Sequence, residues 1–236
     1  MKTAIVTGAS SGIGLETAKK LVSLNYRVYG LARDFTKTKW QHDHFVKVTC
    51  NVSDVKQLKV SITQIIEKEN SIDLLMNNAG IGYFGPHEEI RTEHIEEMVK
   101  TNLLAPLILV RLILRELKKS EGYIINISSI TALKSSVFGV AYAATKAGIR
   151  HFGNSLFDEV RKSGVKVVTI NPDIVQTSFY DHLDFKEHED PESYITSKCV
   201  ADAVETILKQ RNGTILSEIT IRPQKHLIEK KKQKNR

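Results

Sequence analysis

At 236 residues, with a formal net charge of +7 and 41% hydrophobic residues, the chain is long enough to bury the core of one α/β domain without covalent staples. Two cysteines, Cys50 and Cys199, exclude a disulfide framework and offer no metal-ligand cluster, which fits a reducing compartment. No apolar run approaches the roughly 20 residues that cross a bilayer, and the first residues read as a strand rather than a targeting segment, so a cytoplasmic location, no membrane partner and no metal are expected.

Thr3 to Thr7 predicts a short buried strand, Gly8 to Gly14 a turn, and Ile13 to Leu24 an amphipathic helix. Together these make a phosphate site. Gly8, Gly12 and Gly14 let backbone N–H groups approach, with Ser10, Ser11 and Ile13 between them, and the helix N-terminus favours negative charge. The second strand, Arg27 to Ala32, ends without the acid that binds ribose hydroxyls in dinucleotide folds. Arg33 follows it, and an Arg there accommodates a 2′-phosphate, so NADP(H) is the expected cofactor. Asp34 reads as a loop or cap residue. The third strand lies within 42–48 and leads to Cys50-Asn51-Val52-Ser53-Asp54, where Ser53 or Asp54 caps a helix running to about Glu69.

Ile72 to Met76 is the fourth strand, followed by Asn77-Asn78-Ala79-Gly80 and a loop at Gly82 to Pro86. Thr92 to about Lys118 reads as one helix. Asn102 is an unfavoured residue inside it, and Pro106 disturbs its hydrogen-bond ladder. Leu107 to Leu117 is apolar on more than one face, which suits packing at a subunit interface. Tyr123 to Ser128 is the fifth strand, Tyr142 to about Arg161 a long helix, and Val165 to Ile170 the sixth strand. Ser178 to Tyr194 reads as a solvated acidic lid whose inner face carries Phe179, Tyr180, Leu183 and Phe185; the spacing of its His182 and His188 is too irregular for a metal site. Lys198 to Gln210 is the last main helix and Thr214 to Arg222 the seventh strand. The alternation predicts an α/β fold, a Rossmann-type doubly wound parallel sheet of about seven strands. That domain spans residues 1–224. Residues 225–236 form a basic tail, read as a solvated, frayed end; without interleaved aromatic residues it predicts no specific nucleic-acid partner.

The chemistry concentrates at Ser129, Tyr142 and Lys146. Tyr142 and Lys146 are four apart, so on a helix they share one face. A Lys ammonium that close lowers a phenol pKa that starts near 10, which yields a proton donor and acceptor near neutral pH. Ser129 ends an apolar run and can hold a carbonyl oxygen beside that phenol; Ser128 competes for the role. A Tyr-x3-Lys pair alone is most often a solvated helix face, and the glycine turn at the start of the chain shifts the balance.

Thr7-Gly8-Ala9-Ser10-Ser11-Gly12-Ile13-Gly14 after the first strand, Asn77-Asn78-Ala79-Gly80, Asn102, and Ser129 with Tyr142 and Lys146 together resemble the short-chain dehydrogenase/reductase family, from about Lys2 to Arg222. The resemblance implies hydride transfer between NADP(H) and a small carbonyl/alcohol pair. In it Tyr142 is the general acid/base, Ser129 (favoured over Ser128 by its spacing to Tyr142) positions the carbonyl oxygen, Lys146 holds the nicotinamide ribose, and Asn102 opens a helix kink that supports a water relay. It also places Asn51 and Val52 at the adenine, Asn78, Ala79 and Gly80 under the cofactor, Pro172, Val175 and Thr177 at the nicotinamide, and Thr131 to Gly139 at a substrate wall with Leu133, Val137 and Phe138. Asp173 stands where the family has Gly. A homodimer or homotetramer is implied. The ending Glu218 to Gln224 resembles the 3-hydroxy acid/serine dehydrogenase branch. The alternatives are a 3-oxoacyl-carrier-protein reductase, a sepiapterin-type reductase, and a non-catalytic NADP(H)-sensing protein, against which the intact Ser129, Tyr142, Lys146 and Asn102 argue.

Overall fold

The computed structural model describes residues 1–231. Its first strand, β1 (Lys2–Thr7), shows how the core is built: Ala4 and Val6 join one apolar cluster and Ile5 the other, and all three are fully buried. Successive strand residues face opposite sides, so a strand apolar on both sides must lie between two helical layers. In chain order there follow α1 (Gly12–Ser23), β2 (Tyr26–Ala32), β3 (Phe45–Thr49), α2 (Val55–Lys68), β4 (Leu74–Asn77), α3 (Thr92–Val99), α4 (Ala105–Ser120), β5 (Tyr123–Ile127), α5 (Val140–Val160), β6 (Lys166–Pro172), β7 (Val175–Gln176), β8 (Phe185–Glu187), β9 (Ile195–Thr196), α6 (Ser197–Leu208), β10 (Glu218–Ile221) and β11 (Ile228–Lys230).

Seven strands form one parallel sheet in the order β10-β6-β5-β4-β1-β2-β3. This is the expected Rossmann-type α/β fold. Leu21 of α1 and Val200, Val204 and Ile207 of α6 fill one face. Leu58 and Ile62 of α2, Leu109 and Ile113 of α4, and Leu156 of α5 fill the other. Each such side chain contributes about 1.5–3 kcal/mol of burial. The strand order reverses at β1, between β2 and β4, and the C-terminal ends of these strands open a crevice there, the place where doubly wound sheets bind ligands.

One helix boundary differs from the sequence reading, and one of the two candidate caps is selected. The single helix expected from Thr92 to Lys118 is α3 and α4 joined by a π-helical turn at Lys100–Leu104. Pro106 has no N–H to give to the carbonyl four residues earlier, that of Asn102, and the chain absorbs this in the wider turn. Asp54, not Ser53, caps α2, accepting from Lys56 N at 2.9 Å and Gln57 N at 3.1 Å.

The tail is not a frayed end as far as Lys231. β11 pairs antiparallel with β8 of the lid. Lys225 sits 2.9 Å from Asp190 and 2.7 Å from Glu192, Lys186 3.4 Å from Glu229, and Lys231 Nζ donates to the carbonyls of Tyr180 and Asp181. An acidic lid and a basic tail read separately as solvated segments; side by side they neutralise each other. The rest of the expected basic tail, 232–236, lies outside the described residues.

Candidate active site

The phosphate end is built from β1 and the turn that follows. Gly8 and Gly12 have φ of 66° and 53°, the left-handed region that favours glycine. Gly14 allows close approach: a Cβ there would lie 2.3 Å from the Gly8 carbonyl oxygen and 2.5 Å from Asn78 Nδ2. Asn78 fixes this turn to β1, donating from Nδ2 to Thr7 O at 2.8 Å and Gly8 O at 3.2 Å. Thr7 Oγ1 accepts from the backbone N–H groups of Asn78 and Ala79 at 2.9 and 3.0 Å. Ser11 precedes α1 without its side chain capping the helix, and the first turn has no acid. The first N–H groups of α1, which have no acceptor inside the helix, are thus left for an anion.

Tyr142 and Lys146 lie on one face of α5, both buried, and Ser129 follows β5 beside them, 8% exposed. Ser128 is taken up elsewhere: its hydroxyl donates to Lys146 O at 2.8 Å. Burial, only partly offset by the neighbouring Ser129 hydroxyl, pushes the Tyr142 phenol up to about 12. Burial also pulls the Lys146 ammonium from 10.5 down to about 8. The lowering of the phenol expected from Lys146 is therefore absent here. Lys146 Nζ donates to Ile127 O at 2.9 Å and stands 5.7 Å from the Tyr142 ring centroid, facing the ring.

Asn102 is 2% exposed, in the π-helical turn. Its side chain is occupied: Oδ1 accepts from Ile81 N at 2.9 Å, and Nδ2 donates to Ile81 O at 2.9 Å and Thr145 Oγ1 at 3.1 Å. It holds the loop after Gly80 against α5, which carries Tyr142. Asn51 also differs from expectation. Its Oδ1 already accepts from Ser53 N at 3.2 Å and Ser53 Oγ at 2.9 Å, so the oxygen assigned to the adenine amino group has both lone pairs engaged.

One cavity of about 1690 Å³ unites these parts. It is lined by Gly8, Ser10, Ser11, Gly12 and Ile13, by Arg33, Asn51 and Val52, by Asn78 to Gly80, and by Ser129, Tyr142, Pro172, Val175 and Thr177. Gly14, Asn102 and the buried Lys146 stand behind this surface and do not border it. Of the expected apolar wall, Val137 and Phe138 border the cavity at its rim, 80% and 59% exposed, and Leu133 does not border it. The lid histidines are engaged with backbone: His182 Nε2 is 3.0 Å from Gly82 O, and His188 Nδ1 accepts from Asp190 N at 3.1 Å.

Residues 2–187 match the family model described as short chain dehydrogenase. The chain belongs to the short-chain dehydrogenase family. The 3-oxoacyl-(acyl-carrier-protein) reductase of Buchnera aphidicola is 32% identical over 214 residues, covering 86% of this chain and 88% of that one. An alcohol dehydrogenase from the archaeon Thermococcus sibiricus, solved with 5-hydroxy-NADP, superposes with a TM-score of 0.86 at 26% identity, covering 94% and 97% of the two chains. Serine dehydrogenase in its closed form, solved with NADP+, shares the fold with a TM-score of 0.82 at 21% identity, over 94% of each chain. The family, an oxidoreductase activity and a nicotinamide dinucleotide carry over to this chain; the three substrates named differ and do not.

This short-chain dehydrogenase has a cleft that fits such a cofactor. A single drug-sized ligand fills roughly 300–1,000 Å³, and this cavity exceeds that. The turn at Gly8 to Gly14 presents bare backbone where a pyrophosphate would lie. Thr177 sits against the same turn: a Cβ added at Gly12 would be 3.1 Å from its Cγ2. The sequence reading missed Thr7, whose hydroxyl joins β1 to Asn78 and Ala79, and Lys37, a second cation on the cavity beside Arg33. A Thr at the end of a strand or a Lys in a loop carries no local mark of such a role. Asp173, in the family's Gly position, has its side chain 6% exposed, 3.6 Å from Arg222 Nε, with Oδ1 accepting from Ile174 N at 3.0 Å. Among the described residues no helix is long and apolar enough to cross a membrane.

Proposed function

We propose that the protein interconverts a small carbonyl and its alcohol using NADP(H), with Tyr142 as the proton donor and acceptor. The observation that carries this reading is the buried Tyr142 phenol beside Ser129, in the same cavity as the glycine turn. A bound dinucleotide supplies the hydride. In the reducing direction Ser129 holds the carbonyl oxygen, the Tyr142 hydroxyl gives it a proton, and Lys146 holds the ribose and supplies positive charge beneath the phenol. Asn102 keeps the Ile81 loop in register with α5. A reductase needs its phenol protonated, and burial keeps it so through the neutral range.

The preference for the phosphorylated dinucleotide rests on Arg33, 68% exposed at its side chain and 3.8 Å from Glu97, with Lys37 on the same cavity. A charge-assisted hydrogen bond contributes about 1.5–3 kcal/mol. Arg33→Ala is therefore expected to lower kcat/KM for NADPH by roughly 10- to 100-fold and to leave NADH nearly untouched. Parallel steady-state assays with the two dinucleotides test this, and equal losses for both would refute it.

The pH dependence follows from burial of Lys146. Its ammonium, pulled down to about 8, is charged below that pH and loses its proton above it. Reductive kcat/KM is expected to be flat from pH 6 to near 8 and then to fall about tenfold per pH unit. A profile flat through pH 10 would show that this charge does not matter to turnover.

A 3-oxoacyl-carrier-protein reductase is the second reading, favoured by the likeness to the Buchnera enzyme. Assembly into a dimer or tetramer belongs to the proposal as well: Leu104 of the π-helical turn is 40% exposed, and Leu107, Ile108 and Leu112 of α4 are only partly buried. Mass in solution decides that point.

A further inference from the structure

Five aromatic rings close a cycle at the catalytic end of the cavity, and Tyr142 is one of them. Successive centroids are 5.2 Å apart for Phe84 and Tyr142, 5.9 Å for Tyr142 and Phe179, 5.2 Å for Phe179 and Tyr180, 5.7 Å for Tyr180 and Phe185, and 5.2 Å for Phe185 and Phe84. All lie in the range where ring quadrupoles attract. The members come from three separate parts of the chain: the loop after β4, helix α5, and the lid. Leu183, 8% exposed, borders the same cavity.

Three cations near this cycle are already engaged. Lys146 Nζ donates to Ile127 O. Lys231 Nζ donates to the Tyr180 and Asp181 carbonyls. Arg222 stands 3.6 Å from the buried Asp173 carboxylate, which would repel a second carboxylate. Lys134 and Lys230 border the cavity but are exposed. A carboxylate substrate is ordinarily met by a free, directed cation, and an unpaired anion in apolar surroundings is disfavoured.

We infer that the substrate is an uncharged, ring-bearing carbonyl compound, an aryl aldehyde or aryl ketone, whose ring packs within the aromatic cycle while its carbonyl oxygen meets Tyr142 and Ser129. This rests on the proposed carbonyl chemistry and narrows it: 3-oxo acids and acyl thioesters become poor substrates. The ring of the substrate replaces the contacts that Phe84 makes with Phe185 and Phe179 with Tyr180 in this structure, and the carbonyl is thereby brought to the one member of the cycle that carries a catalytic hydroxyl.

The test is NADPH oxidation by the full-length protein with a benzaldehyde, an acetophenone, acetoacetate and an acetoacetyl thioester, alongside NADPH binding measured by fluorescence. The aryl carbonyls are expected to exceed acetoacetate in kcat/KM by at least about tenfold. Phe185→Leu and, independently, Phe84→Leu, which keep apolar bulk but lose the ring, should bring that ratio towards one while still binding NADPH. Preference for acetoacetate or the thioester would overturn the inference and leave the carbonyl chemistry standing, as would a ratio unchanged in both variants. NADPH binding with no turnover of any carbonyl would instead overturn the reading on which the inference rests.

Discussion

Tyr142→Phe is expected to lower kcat by about 10²-fold or more, the size of a general-acid contribution, without unfolding the protein or weakening dinucleotide binding. The substitution removes one hydroxyl and nothing else. The ring is 9% exposed and packs against Phe84 and Phe179 with centroids 5.2 and 5.9 Å away, and phenylalanine keeps both contacts. The hydroxyl lost is the one beside Ser129, so stability changes by about one hydrogen bond, roughly 0.5–1.5 kcal/mol. Lys146 keeps its bond to Ile127 O. A fall in turnover with unchanged NADPH affinity, read by single-turnover NADPH oxidation, places the proton transfer on Tyr142. Loss of NADPH binding in parallel would assign the residue to cofactor binding rather than to proton transfer.

Gly14→Ala is expected to abolish usable dinucleotide binding, raising the Kd for NADPH by about 10²-fold or more, which corresponds to roughly 2.7 kcal/mol. The effect is steric. The new Cβ would stand 2.3 Å from the Gly8 carbonyl oxygen, 2.5 Å from Asn78 Nδ2 and 2.8 Å from the Gly8 carbonyl carbon. None of these can yield cheaply. Gly8 is fixed at positive φ, and its N–H donates to Leu31 O at 2.8 Å. Asn78 is bonded to the carbonyls of both Thr7 and Gly8. α1 must move away from β1, and its first N–H groups leave the position that receives a phosphate. Overpacking of this kind costs about 1–3 kcal/mol, or roughly 2–4 °C of Tm per kcal/mol in a chain of this size. Isothermal titration with NADPH and a thermal melt check both parts; wild-type affinity would show that the turn tolerates a Cβ and that the phosphate lies elsewhere.

What the sequence made legible was what local spacing controls. Gly8, Gly12 and Gly14 follow a short apolar strand and precede an amphipathic helix, so the turn and its anion-binding end could be read directly. Tyr142 and Lys146 share a helix face because they are four residues apart. The alternation of apolar strands and amphipathic helices was enough for the parallel sheet. What depends on tertiary proximity was not legible. Tyr142 and Lys146 are perturbed by burial rather than by each other, and burial is a property of the assembled layers. The Asn51 oxygen looked free for adenine, yet Ser53, two residues on, engages it through its N–H and Oγ, a local turn that these residue types allow but do not require. The acidic lid and the basic tail are some forty residues apart in sequence, and nothing in either composition says that β8 and β11 pair. Pro106 signalled a disturbed helix, but its outcome, a π-helical turn around Asn102, required the whole α3–α4 path.

The central claim is that Tyr142 transfers the proton that accompanies hydride transfer from NADPH to a carbonyl. The measurement that tests it most directly is NADPH oxidation by the wild-type protein and by Tyr142→Phe, with the same carbonyl panel and with dinucleotide binding confirmed for both. The account predicts turnover by the wild type on at least one carbonyl class and a loss of about 10²-fold in the variant. Equal turnover by the two proteins would contradict it.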